Sequence, residues 1–75
     1  MIDHYMLEKV LKDSGLKRDY IAEQLGISRF SLFKKIKGET EFTASELTAI
    51  KNVLHLTQGT FRRIFFASES EINSR

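Results

Sequence analysis

Residues 17–38 read KRDYIAEQLGISRFSLFKKIKG, and the way this stretch divides decides the fold. Ile21, Ala22 and Leu25 share one face of a helix that turns once in about 3.6 residues. Gly26 follows the last of them, where a glycine takes the left-handed backbone that ends a helix without steric cost. Ile27 then reads as a buried plug, and the Ser28 hydroxyl is placed to accept a free N–H of the next helix's first turn. That second helix runs to about Lys37. Leu32 and Ile36, four apart, face inward, while Arg29, Phe30, Phe33, Lys34 and Lys37 point elsewhere. Gly38 closes it as Gly26 closed the first.

Two short helices with glycine in the turn and a small residue at their crossing make a helix-turn-helix. Ala22 is the small residue. A leucine there would push the second helix off its seat.

Working outward, Asp3 reads as the cap of a first helix, Met1 to Ser14, with Leu7, Val10 and Leu11 on one face and Gly15 at its end. Tyr5 and Met6 lengthen that stripe or lie at its rim. Leu16 plugs the gap before Lys17. After Gly38, Thr43 is followed three residues later by Glu46, a capping box. The helix it opens carries Leu47, Ile50, Val53 and Leu54 and is expected to end near His55. Thr57 caps a fifth helix, about Gln58 to Phe66, with Phe61 and Ile64 facing the core and Phe65 or Phe66 left for a second subunit, unless all four belong to the core. One ordered domain to about residue 67 is expected, with 68–75 fraying for want of anything to bury. The fold class is thus all-α, five helices, with the helix-turn-helix at the second and third.

The 75 residues contain no cysteine and no proline. A disulfide framework and a thiolate metal site are thereby excluded. No apolar run reaches the roughly 18 residues of a membrane span, and MIDHYMLEKV is too charged for a signal peptide, so a cytoplasmic protein is expected. The formal net charge is only +2. Its placement says more. Residues 17–38 hold six basic residues against Asp19 and Glu23, while the remaining segments together are net negative. Basic charge gathered on one element is the footprint of a phosphate-binding surface, although lysines on a solvated helix face read the same way. His4 and His55 are isolated and read as surface residues. Ser28, Ser31 and Ser45 have no base arranged near them in sequence, so an enzyme is not expected, nor is a metal or cofactor.

The segments IAEQLGISRFSL (21–32) and KIKGETEFTASEL (35–47) resemble the helix-turn-helix of the phage repressor and Cro family of transcriptional regulators, over about residues 5 to 66. Two departures are visible. Lys17 and Arg18 stand where many relatives have Thr-Gln, which makes any contact there ionic, and Glu39 and Glu41 stand where many have a basic loop. The resemblance implies a compact lambda-repressor-like domain that binds double-stranded operator DNA as a dimer, with the second motif helix in the major groove.

On that reading Arg29, in the first turn of the helix, donates two hydrogen bonds to guanine O6 and N7, or else holds a phosphate or makes no contact. Phe30 and Phe33 meet thymine methyl groups, unless Phe33 wraps into the core, and Lys34 and Lys37 reach bases or phosphates. Lys17, Arg18, Ser28 and Lys35 position the DNA backbone, and Thr43 and Ser45 add a helix N-terminus. Phe65 and Phe66 form the dimer contact. A rival of another class is a protein-interaction module of the same fold, which uses its exposed phenylalanines on a partner repressor or polymerase.

Overall fold

The computed structural model describes residues 2–67, five helices with no strand among them: α1 (His4–Ser14), α2 (Arg18–Leu25), α3 (Arg29–Lys37), α4 (Ala44–Val53) and α5 (Gln58–Phe65). The expectation that 68–75 frays falls outside the described residues, as does Met1.

Side-chain oxygens start four of the helices. Asp3 accepts from the Met6 N–H at 3.0 Å, Ser28 from Ser31 at 3.0 Å, Thr43 from Glu46 at 3.2 Å and Thr57 from Thr60 at 3.1 Å. Each such cap stabilises its helix by about 1 kcal/mol, and the Asp3 cap is why α1 begins at His4 rather than Met1. The Thr43–Glu46 box is complete, because the Glu46 carboxylate also accepts from the Thr43 N–H. At α2, Lys17 makes no side-chain capping bond.

The stops are of one kind in three places. At Gly26 the N–H donates to Glu23 O and that of Ile27 to Ala22 O, and Gly38 and Glu39 repeat the pattern at the end of α3. At the end of α4 the same role falls to His55, with φ of 54°. Its N–H donates to Asn52 O and that of Leu56 to Lys51 O. A side chain in this left-handed region is strained, so α4 ends at a cost the other two avoid.

The helices fold around α2, which packs against α3 and α4, while α1 packs against α3 and α5. Ala22 is 2% exposed between them, with Ile21 beside it. Leu7 and Leu11 come from α1, Leu32 and Ile36 from α3, Ile50 from α4 and Ile64 from α5, all buried. Each contributes roughly 1.5–3 kcal/mol relative to exposure. Leu16 and Ile27 pack on this core but are half-buried, so Ile27 is less complete a plug than expected.

Two expectations are corrected. Phe65 is 4% exposed and belongs to the core, because Phe42, from the loop before α4, packs edge-on against it at 5.7 Å. Phe66 is half-buried against Phe61. His4 is half-buried too, not a free surface residue. Its Nδ1 lies 2.8 Å from the carbonyl oxygen of Ile36, which only accepts, so Nδ1 carries the proton. The ring lies over Gly38, where an added Cβ would come within 2.8 Å of Nε2. Glycine is required at 38 by its φ of 88°, and a side chain there would also have to displace the His4 ring.

Candidate nucleic-acid interface

The nine residues of α3, RFSLFKKIK, contain no acidic side chain. Leu32 and Ile36 fix which side faces the core, and that choice turns Arg29, Phe30, Phe33 and Lys37 outward. Phe30 is 69% and Phe33 52% exposed, so Phe33 does not wrap into the core. Each ring has a lysine four residues on. Lys34 Nζ lies 5.4 Å from the centroid of Phe30, and Lys37 Nζ 5.1 Å from that of Phe33. Residues four apart are neighbours on a helix, and an ammonium over an exposed ring gains roughly 0.5–1 kcal/mol. The outcome is two parallel pairs of an apolar plate and a cation.

Arg29 opens the helix, with its Nε 3.6 Å from Asp19 Oδ1 and both side chains largely in water. Such a pair is worth little and exchanges readily for a stronger anion. Arg18 makes a similar contact at 3.2 Å with Glu8. Both arginines line one groove of about 340 Å³, together with Leu32, Phe33 and Ile36. Sequence spacing did not reveal this meeting, since it depends on how α2 lies against α3.

The remaining expected backbone contacts divide. Lys17 is exposed at the start of α2. The Ser28 hydroxyl caps α3 and also donates to Ser31 Oγ at 3.1 Å. Thr43 Oγ1 caps α4 and lies 3.2 Å from Ser45 Oγ. Both helix starts are therefore already supplied with side-chain partners.

Lys35 is the clear correction. Its side chain is 13% exposed, and its ammonium is 2.9 Å from Glu46 Oε1, itself 11% exposed. It also donates to Glu41 O at 2.9 Å. The amine that the sequence placed on a phosphate is used inside the protein. Burial pushes the Glu46 carboxyl up, but the Thr43 N–H, the Lys35 ammonium and the Thr43 hydroxyl outweigh it and hold its pKa below the ordinary glutamate value.

Among the described residues no group of three His, Asp or Glu side chains is placed to hold a metal ion. No helix among them is long and apolar enough to cross a membrane. The chain matches no known protein family, no curated protein and no solved structure.

Proposed function

We propose that this protein is a sequence-specific double-stranded DNA-binding transcriptional regulator, with α2 and α3 as a lambda-repressor-like helix-turn-helix and α3 as the helix that enters the major groove. The observation that carries this reading is the outward side of α3, where Arg29, Lys34 and Lys37 surround two exposed phenyl rings on a helix without acidic residues. Arg29, at the first position of α3, is the base reader, and Arg18 and Lys17 at the start of α2 hold phosphates. Lys35 has no part in this, being committed to Glu46. One recognition helix reads few base pairs, so we propose that two copies bind adjacent half-sites. Phe66, half-buried near the end of α5, is the residue we assign to the contact between them.

The exposure of Phe30 and Phe33 also favours a second reading, in which the same face docks a partner protein. Salt separates the two. Binding of a labelled random-sequence duplex, followed by fluorescence anisotropy, is expected to weaken steeply between about 50 and 200 mM salt as counterions compete for the phosphates. An absence of duplex binding at the low end would leave only the protein-docking reading.

A further inference from the structure

The exposed side of α3 is unusual in what it puts beside each cation. A helix that used Lys34 and Lys37 for phosphates alone would gain from phenyl rings at Phe30 and Phe33 only the small cation–π contacts, set against leaving both rings in water. The rings are not spare core residues either, because Leu32 and Ile36 already fill the inward side. Their counterpart must therefore offer an apolar group with a hydrogen-bond acceptor close by. In the major groove one base supplies the first, since thymine alone among the four carries a methyl group, at C5. Acceptors lie next to it, in O4 of the same thymine, in N7 of a neighbouring purine and in O6 where that purine is guanine.

Resting on the DNA-binding reading above, we propose that α3 reads two thymines, each through a phenyl–ammonium pair. Phe30 covers one C5-methyl and Phe33 the other, and Lys34 and Lys37 donate to the acceptor on the adjacent base. The dimensions fit. Residues three apart are displaced by about 4.5 Å along a helix axis, and successive bases on one strand by about 3.4 Å. The two rings thus address neighbouring steps and not one base. Each ammonium lies 5.1 to 5.4 Å from its ring centroid, farther than one base step, so it falls beside a base next to the one whose methyl the ring covers. The helix has the positive charge a duplex requires and carries no acidic side chain of its own, the Asp19 carboxylate of α2 being paired with Arg29.

The test removes the methyl from the DNA and leaves the protein untouched. Duplexes enriched by the full chain from a random pool are rebuilt with deoxyuridine in place of single thymines, and affinities are compared at fixed salt. Two positions are expected at which deoxyuridine weakens binding, each about fourfold, the change given by burying one methyl-sized group. Phe30→Ala is expected to make the protein indifferent to one substitution and Phe33→Ala to the other, with helicity unchanged by circular dichroism. An enriched site indifferent to deoxyuridine throughout overturns the methyl readout and leaves DNA binding standing. Loss of discrimination at the same position in both variants, or in neither, overturns the pairing of ring and methyl. Failure to enrich any sequence, with no duplex binding at low salt, overturns this proposal together with the reading on which it rests.

Discussion

The Lys35 ammonium lies 2.9 Å from Glu46 Oε1 and ties the last turn of α3 to the first turn of α4. The same oxygen accepts from the Thr43 N–H. One carboxylate thereby closes a helix cap and anchors the C-terminal end of the helix that carries the proposed interface.

The pair makes stability depend on pH. Because the folded-state pKa of Glu46 is lowered from 4.5, its contribution is present in full above that value and is lost as pH falls through the lower folded value. Glu46→Gln keeps an acceptor for the cap but loses the charge. Near pH 7 it is expected to be less stable than the parent by about 1–3 kcal/mol, and the gap should narrow as pH falls below 4.5. Parallel urea titrations across this range check it; a gap that is constant with pH would mean that the charge contributes nothing.

Ala22→Leu tests the packing under the motif. With 2% of the residue exposed between α2 and its neighbours, the larger side chain has no space. A loss of about 1–3 kcal/mol is expected, read as a lower thermal midpoint. An unchanged midpoint would place the helix crossing elsewhere.

Phe65 and Phe66 are adjacent yet unlike. Phe65→Ser empties a core position and is expected to cost roughly 3–5 kcal/mol, enough to unfold much of a domain this small. Phe66→Ser is expected to leave the fold intact, weaken duplex binding and flatten its concentration dependence. Sedimentation with and without a two-half-site duplex measures this, and a folded Phe66→Ser protein that binds as the parent does would remove the residue from any dimer contact.

Arg29→Ala separates base reading from phosphate holding. The expected loss is about 1–3 kcal/mol on an enriched site and far less on random duplex. Equal losses on both would make Arg29 a phosphate contact.

What the sequence showed clearly was local. The caps at Asp3, Ser28, Thr43 and Thr57 and the stops at Gly26 and Gly38 are short-range devices in which a residue type and its partner lie within one turn. The exposure of Phe30 and Phe33 followed from the spacing of Leu32 and Ile36, apart from the ambiguity at Phe33. What stayed hidden was tertiary. Glu46 already had a task in the capping box, so nothing in the spacing asked for Lys35 as well. His4 bonds to a backbone carbonyl 32 residues away, which no side-chain pattern encodes. Phe65 and Phe66 could not be told apart without knowing that Phe42, in a loop, covers the first. His55 ends α4 in a conformation usually left to glycine, a choice without a composition signal.

On the proposed function, the outward side of α3 is the surface that meets DNA. Backbone amide shifts of the isotope-labelled chain, followed by NMR as an enriched duplex is added, test it most directly. The largest changes are expected at Arg29, Phe30, Phe33, Lys34 and Lys37, with smaller ones at Lys17 and Arg18 and little at Lys35. Changes centred on Tyr5 or on Phe61 and Phe66 with α3 unmoved, or none at all at low salt, would contradict it.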